Sequence, residues 1–163
     1  MAFDAYLQLA GIDGESKDSK HAKWIELYSF SWGASNPITS ASGAGMAAGK
    51  VSISSFNAMK KADAASCKLF ELCATGGHIA TAKVELCKST GADTTEPFIV
   101  YEFEQVYVES VQWSGSSGGD DTPTESISVA FGKVTMHYSN QDAKGKLSKA
   151  GQFGWNLIEN KKV

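Results

Sequence analysis

Apolar and polar residues alternate with a period of two along most of this chain, which is typical of β-strands that bury one face. Near the amino end, Phe3, Ala5, Leu7 and Leu9 fall on one face of such a strand, and Asp4, Tyr6 and Gln8 fall on the other. The same alternation returns in four later runs, at residues 51–56, 80–86, 97–113 and 124–138. The pattern predicts an all-β protein, built as a sandwich or a barrel.

The two longest runs change the face that carries their apolar residues. In the first run the apolar positions pass from odd numbers, ending at Phe103, to even numbers, beginning at Val106. In the second run they pass from Phe131 to Val134. A β-bulge at a corner of a barrel explains such a change, and Gly132 is well placed for one. A compatible explanation is that a second copy of the chain covers an apolar outer strip.

One segment, residues 63–77, follows helical spacing instead. Its apolar stripe consists of Ala65, Leu69, Leu72 and Cys73. Asp63 or Ser66 can accept hydrogen bonds from the first free amides, and Gly76 can take the left-handed conformation that ends a helix. The segment therefore predicts one short helix that covers an end of the β-structure.

The stretch "YSFSW" places three aromatic residues, Tyr28, Phe30 and Trp32, on one face of a strand and Ser29 and Ser31 on the other. We predict that the three aromatic side chains fill the protomer core and that both serines point away from it. Such an outward face can line a channel made by several copies of the chain, or it can face solvent on the outside of the assembly.

Two segments are too poor in large apolar residues to be strands of the core. Residues 33–50 are almost all Gly, Ala and Ser, which predicts a long projecting loop. Residues 114–123 predict a shorter connection between the two long strands. Since the strands on both sides of each segment need each other to form sheets, residues 1–163 are predicted to form a single domain.

Charge and targeting signals narrow the possible partners. The chain has 15 basic and 18 acidic residues, a net charge of -3, and every basic residue is a lysine. Without arginine, the usual bidentate contact to phosphates and bases is missing, so we expect no nucleic acid partner. No basic amino-terminal region and no run of about 18 apolar residues is present, so we expect synthesis in the cytoplasm, no membrane insertion and no ordinary export signal.

We find no motif of an enzyme or of a cofactor site. The sequence lacks GxSxG, GxxxxGK[ST], HExxH and a dinucleotide GxGxxG. His21, His78 and His137 lie far apart along the chain, and although they could converge with an aspartate and a serine, such triples are common by chance. We therefore predict no catalytic residues and no cofactor.

The three cysteines are odd in number and form no CxxC pair. Reduced, mostly packed thiols are the expectation. A zinc site from Cys67, Cys73, His78 and Cys87 is conceivable, but its spacings match no common zinc motif, so no metal is predicted.

Several segments together resemble one known family, in order along the whole chain. They are "GESKDSKHAKWIELYSFSWG", "AGKVSIS", "ELCATGGH", "AKVEL" and the final "FGWNLIENKKV". On these segments the chain resembles the haemolysin-coregulated protein family, Hcp, which forms the tube of bacterial type VI secretion systems.

The resemblance implies a β-barrel of two sheets with one flanking helix, assembled into a six-membered ring with a wide central channel. In this family the rings stack into a tube that a contractile sheath, tipped by spike proteins, drives into a neighbouring cell, with effector toxins carried in the channel. It implies that Ser29 and Ser31 face the lumen. It also implies that residues 33–50 contact the next ring, the candidates being Gly33, Pro37, Met46 and Gly49. The chain would then be secreted without a signal peptide, and since it ends just after "GWNLIENKKV" we expect no enzymatic extension.

Two other functions remain as alternatives. The first is a monomeric β-sandwich that binds a sugar or a peptide, with Trp24 or Trp113 as a stacking platform. The second is a small hydrolase. Sedimentation separates a ring from a monomeric binding module, and a panel of ester and peptide substrates tests for the hydrolase.

Overall fold

Strands dominate the structure, as the alternation predicts. The computed structural model describes residues 2–41, 43, 45–90, 95–119 and 121–163. Within these residues the chain forms thirteen strands and one helix. They are β1 (Asp4–Leu9), β2 (Ile25–Leu27), β3 (Ser29–Ser31), β4 (Ala34–Ser35), β5 (Ile38–Ala41), β6 (Gly45–Ala48), β7 (Ser52–Ile53), β8 (Phe56–Lys61), α1 (Ser66–Thr75), β9 (His78–Ser89), β10 (Thr95–Ser114), β11 (Thr124–Gln141), β12 (Leu147–Asn156) and β13 (Lys161–Lys162).

Nine of these strands form one continuous antiparallel network. Its order is β13-β12-β11-β10-β9-β1-β2, and β8 pairs with both β11 and β3. Strand β2 leads into β3 through a single residue, Tyr28, whose amide donates a hydrogen bond to the Met59 carbonyl at 2.8 Å. Because this bent segment pairs with β1 at one end and with β8 at the other, the network closes around itself as a barrel. The two sheets of the expected barrel are thus joined through β11.

The core fills the inside of this barrel with aromatic and branched side chains. Phe103 lies at its centre, with ring centroids 4.5 Å from Phe131 and 5.5 Å from Phe56. All three rings are buried. Burying one such side chain stabilises the fold by about 1.5–3 kcal/mol, so these strands are held by their inward faces and leave their outward faces free.

The change of apolar face occurs on three neighbouring strands at one level. The buried positions step from Ile79 to Ala82 on β9, from Phe103 to Val106 on β10 and from Phe131 to Val134 on β11. At this level Gln105 has a left-handed φ of 55°, and a Cβ on the facing Gly132 would lie only 2.6 Å from Gln105 Oε1. The β10–β11 register is unchanged across this level and slips only between Val108 and Ser110. The corner lies where the sequence predicts it. It is formed by a residue in the left-handed conformation, Gln105, and not by the extra residue of a β-bulge.

Helix α1 confirms the prediction for residues 63–77. Ala65 and Leu69 are fully buried, and Gly76 ends the helix with a left-handed φ of 70°. At the start, the Asp63 carboxylate accepts a hydrogen bond from the Ala65 amide at 3.0 Å, and Ser66 Oγ accepts one from the Asp63 amide at 2.9 Å. Asp63 thus accepts from the amide of the N-cap residue, Ala65, whereas Ser66 accepts from an amide that precedes the helix and does not act as the predicted cap. No helix in the described part of the chain is long and apolar enough to cross a membrane.

Residues 33–50 project as a narrow β-ribbon and not as an irregular loop. Strand β5 pairs with β6, and β4 pairs with β7 at the base. Gly43 and Gly45 have φ values of 87° and 78°, which are the left-handed conformations that tight hairpin turns require. Residues 42 and 44 lie outside the described residues. The shorter segment, 114–123, connects β10 and β11 as predicted, with residue 120 outside the description.

Candidate functional site

Tyr28 lies on the surface, so its predicted place in the protomer core is wrong. Its side chain is 61% exposed. The physical reason is the bend between β2 and β3: Ile25 and Leu27 are buried before it, and Phe30 faces the core after it, so the inward positions pass from odd to even numbers at Tyr28. The ring instead lies near the Lys61 ammonium, which is 5.9 Å from the ring centroid.

Phe30 and Trp32 pack against the core and are partly buried. The Phe30 ring stacks on Phe56 at 5.7 Å, and Trp32 meets Tyr101 edge-on at 5.0 Å. Burial raises the pKa of the Tyr101 phenol, and a hydrogen bond from Trp32 opposes that rise. These contacts fix β3 on the barrel, so the side chains between them must point outward.

Ser29 and Ser31 are exposed and belong to a polar face that spans four strands. The register places two rows of side chains across this face, Ser29–Met59–Ser126–Gln112 and Ser31–Asn57–Ser128–Ser110. Cross-strand partners point to the same side of a sheet. Seven of the eight side chains in the two rows are short or neutral and polar, and the eighth, Met59, is 43% exposed. We call these two rows the polar face.

The residues between those rows point into the barrel. They form the row Phe30–Ala58–Ile127–Val111, which belongs to the core or packs against it. The two sides of the sheet therefore differ clearly. The outward rows carry no charged side chain and one apolar side chain, Met59, whereas the inward row carries only apolar side chains. On the polar face, Ser128 Oγ donates a hydrogen bond to Glu109 at 3.0 Å.

Three of the four residues predicted to contact another ring lie at the base of the ribbon, where they hold it. The Gly33 amide donates to Ser54 Oγ at 2.8 Å, and the Gly49 amide donates to the Pro37 carbonyl at 2.9 Å. A Cβ on Gly49 would lie 2.7 Å from Pro37 Cγ, so only glycine fits there. Met46 lies in β6 and is 77% exposed. The ribbon therefore presents Met46 to the surroundings from a fixed base.

An apolar groove lies next to the base of the ribbon, and nothing in the sequence pattern points to it. Its volume is about 470 Å³. Its lining includes Trp32, Ile53, Tyr101, Val134, Phe153 and Trp155. The residues come from five separate stretches of the chain, so only the tertiary fold brings them together.

The sequence pattern also gives no indication of a buried polar cluster around His21. His21 is 1% exposed, its Nδ1 lies 2.7 Å from Asp18 Oδ2, and its Nε2 lies 2.6 Å from Glu85 Oε2. The Cys87 sulfur lies 3.8 Å from the same Nε2. Burial first, and then the negative charge of Glu85, raises the pKa of the Cys87 thiol to about 12. We call these four residues the His21 cluster.

A second buried cluster joins β8, β11 and α1. Lys60 and Glu125 are both fully buried, and the Lys60 ammonium lies 3.1 Å from Glu125 Oε2 and 2.9 Å from Asp63 Oδ1. Ser66 Oγ donates to Glu125 Oε2 at 2.5 Å. Glu125 Oε1 is buried without a hydrogen-bond partner among the described residues. We call these four residues the Lys60 cluster.

The other residues considered from the sequence are not brought together. Among the described residues, Cys67, Cys73 and His78 join no cluster of metal-ligating side chains with Cys87. Cys67 is exposed and Cys73 is half-buried. Of the two candidate stacking residues, Trp24 is half-buried against His21, whereas Trp113 is 52% exposed and stacks on Phe70 at 5.2 Å.

This arrangement defines an all-β protein with one flanking helix, and three comparisons assign it to a family. A family model described as "Type VI secretion system effector, Hcp" matches residues 6–138. Protein hcp1 of Pseudomonas aeruginosa is 34% identical over 163 residues, covering 98% of both chains. The chain therefore belongs to the Hcp family of type VI secretion proteins, as the sequence resemblance predicts.

Solved structures agree over the whole chain. A structure described as that of "a type six secretion system protein" superposes with a TM-score of 0.93 at 43% identity, and the match covers 99% of this chain and 100% of that one. Hcp1 from Salmonella typhimurium superposes with a TM-score of 0.80 at 31% identity over 100% of both chains. The fold described above is thus shared with these solved structures.

Proposed function

We propose that this chain is a non-enzymatic subunit of the inner tube of a type VI secretion system. Six copies form a ring, rings stack into a tube, and a contractile sheath propels the tube out of the cell with effector proteins in its lumen. Family membership supports a role in type VI secretion. The polar face, which spans four strands, is the observation that supports a role as an effector carrier.

The polar face suits the wall of such a channel for a physical reason. Hydroxyls and amides that face water stay hydrated, so a passenger gains little by contacting them and can leave again. Short side chains also keep a bore wide. In this proposal Ser29 and Ser31 line the lumen together with their cross-strand partners, which include Asn57, Ser126 and Ser128.

The projecting ribbon supplies the contact between rings in the same proposal. Ile38 and Met46 are 52% and 77% exposed on a segment that packs against little of its own barrel. Burying such side chains against a second copy removes apolar surface from water, which favours association. Gly33, Pro37 and Gly49 then act by holding the ribbon at a fixed angle.

The histidines give no support to the hydrolase alternative. Both nitrogens of His21 face carboxylates inside the His21 cluster, so the ring is not free to activate a serine. His78 packs against the Tyr107 ring at 5.4 Å, and His137 lies 4.0 Å from Glu102. We therefore propose that the protein acts by assembly and carriage.

Negative-stain microscopy of the purified protein, with sedimentation on the same sample, tests the assembly. We expect annular particles of six subunits. A single species at the monomer mass, even at high protein concentration, would contradict the ring and favour the monomeric binding module, for which the exposed Trp113–Phe70 stack is the candidate platform.

Replacing Ser31 by Gln tests the lumen assignment. We expect rings to form as before, because Ser31 is exposed, and the amount of co-purified effector to fall roughly tenfold, equivalent to about 1.4 kcal/mol, because a longer side chain takes up room along the wall. Ser148→Gln, at an exposed position of β12, is the matched control. Equal retention in both variants would place the polar face on the outside of the ring.

A further inference from the structure

The segment before β2 is held firmly against the outside of the barrel at one point. The His21 ring stacks on Tyr6 of β1 at 4.2 Å with an interplanar angle of 3°, and Trp24 closes the other side edge-on at 4.8 Å. Backbone hydrogen bonds within the segment, from the Gly14 amide to the Lys23 carbonyl and from the Ser16 amide to the Trp24 carbonyl, fix the turn that carries His21. The ring is therefore already oriented before any ligand arrives.

Three side chains at this ring carry atoms of the types that bind transition metals. His21 Nε2, a Glu85 carboxylate oxygen and Cys87 Sγ all lie within 4.8 Å of one another. Imidazole nitrogen, carboxylate oxygen and thiolate sulfur are the ligand types that bind zinc. On the far side of the ring, Nδ1 lies 2.7 Å from Asp18 Oδ2. A carboxylate in that position is the usual partner that orients a metal-binding histidine.

The short distance between His21 Nε2 and Glu85 Oε2 requires a proton or a metal ion between them. At 2.6 Å two acceptor atoms repel unless they share a proton or a cation. A neutral imidazole has one N–H donor, so it satisfies one carboxylate, and a carboxylate at each nitrogen calls for a second proton or a metal ion. Here a second carboxylate and a thiol converge on the remaining nitrogen.

We propose that His21, Glu85 and Cys87 bind one divalent transition metal ion of the zinc class, with Asp18 as the positioning residue. The ion takes the place of the proton between Nε2 and the Glu85 carboxylate and draws the Cys87 sulfur in as a thiolate. Glu85 is 12% exposed and Asp18 is 25% exposed, so the ion enters from their side.

The exchange balances in charge. One divalent cation enters, and two protons leave, one from the Nε2–carboxylate pair and one from the Cys87 thiol. The net charge of the buried site is therefore unchanged, and the Lys83 ammonium, 3.0 Å from Glu85 Oε1, keeps its partner. A site that gains no net charge avoids the desolvation cost that opposes most buried ions.

The bound ion would join two parts of the chain that are far apart in sequence. His21 belongs to the segment that precedes β2, and Glu85 and Cys87 belong to β9. The ion would fasten that segment across β1. None of the three ligands lies on the polar face or on the ribbon. The proposed metal site can therefore be tested separately from the proposed tube.

Cobalt titration of the full chain tests the site. In a Cys67→Ser/Cys73→Ser background, Cys87 is the only thiol, so a sulfur-to-cobalt charge-transfer band reports this residue alone. We expect one cobalt ion per chain, about two protons released per ion in weakly buffered solution, and displacement by zinc. Zinc should also raise the melting temperature.

Matched variants separate this site from surface binding. Cys87→Ser in the same background should abolish the band, and Asp18→Asn should weaken binding by about 10–100-fold, with folding of each checked by circular dichroism. His78→Gln, at an exposed histidine, should change nothing. No band with millimolar cobalt on the folded protein would overturn the proposal, as would release of one proton or fewer per ion, or equal metal affinity in the Cys87→Ser variant.

Discussion

Among the described residues, the barrel buries two clusters of charged side chains, and they differ in their access to water. In the Lys60 cluster both members of the central ion pair, Lys60 and Glu125, are fully buried. In the His21 cluster the ring is buried, but Asp18 is 25% exposed and Glu85 is 12% exposed. Buried ion pairs lose hydration that their mutual attraction only partly restores. The Lys60–Glu125 pair therefore depends on its internal partners, with only Asp63, 10% exposed, reaching the surface, whereas in the His21 cluster two carboxylates are open to solvent.

The largest effect is expected at the centre of the Lys60 cluster. Lys60→Met should lower the free energy of unfolding by about 3–5 kcal/mol, because it leaves the buried Glu125 carboxylate without its cation. Urea unfolding measures the change. Lys61→Met, on the adjacent exposed residue, is the control and should stay within about 0.5 kcal/mol.

A double variant sharpens this prediction. Lys60→Met with Glu125→Leu removes both fully buried charges and leaves without a cation only Asp63, which is 10% exposed, so it should recover most of the lost stability. If the double variant were as unstable as Lys60→Met alone, packing and not the unpaired carboxylate would be the cause of the loss.

A smaller and pH-dependent effect is expected at the edge of the His21 cluster. The hydrogen bond from His21 lowers the pKa of Asp18 below its usual 3.8. The stability that Asp18 contributes is therefore full above that value and is lost as the pH falls through the lower pKa of the folded state. At pH 7, with a chelator present, Asp18→Asn should cost about 1–2 kcal/mol.

The pH profile distinguishes this cause from a change of packing. The difference in unfolding free energy between the parent protein and Asp18→Asn should shrink as the pH is lowered towards 3. A difference that stayed constant from pH 7 to pH 3 would contradict the assigned role of the carboxylate.

The smallest effect is expected at an ion pair on the surface. Lys68 and Glu71 of α1 lie 3.3 Å apart, and their side chains are 52% and 60% exposed. Water and salt screen such a pair, so Glu71→Gln should change the unfolding free energy by about 0.3 kcal/mol or less. A loss above 1 kcal/mol in thermal unfolding would show that side-chain exposure does not determine the relative size of the effects at Lys60, Asp18 and Glu71.

Much of the fold follows from local patterns in the sequence. The two long runs keep their alternation on each side of the corner, and α1 ends where Gly76 indicates. The first strand follows the pattern only in part: Leu7 and Leu9 are buried as predicted, but Tyr6 on the opposite face is buried too and Phe3 is 49% exposed. The family is also readable, because the motif that begins at Gly14 is specific. These features depend on residues that are near one another in the chain, which is why sequence reading succeeds for them.

The misplaced Tyr28 shows where local patterns fail. Alternation assumes that one strand keeps one pair of neighbours, but the chain changes partners from β1 to β8 at this residue. The hydrogen bond from Tyr28 to Met59 that fixes the bend joins residues far apart in sequence. No local pattern carries that information.

The two buried clusters differ in how visible they are in the sequence. Lys60 shares its alternating face with Phe56 and Ala58, and Glu125 shares its face with Ile127 and Val129. Opposite charges on two inward faces are a readable signal of a buried pair. The His21 cluster gives no such signal, because His21 lies outside any strand and meets Glu85 only through the tertiary fold.

The pairing of β10 with β11 has a mechanical consequence. These two strands stay paired from Ile99–Tyr138 at one end to Ser114–Thr124 at the other, with one slip of register between Val108 and Ser110. A push along the strand direction would load these bonds in shear, all at once, instead of peeling them one by one. A particle built from such subunits would resist sudden thrust best along the direction in which these two strands run.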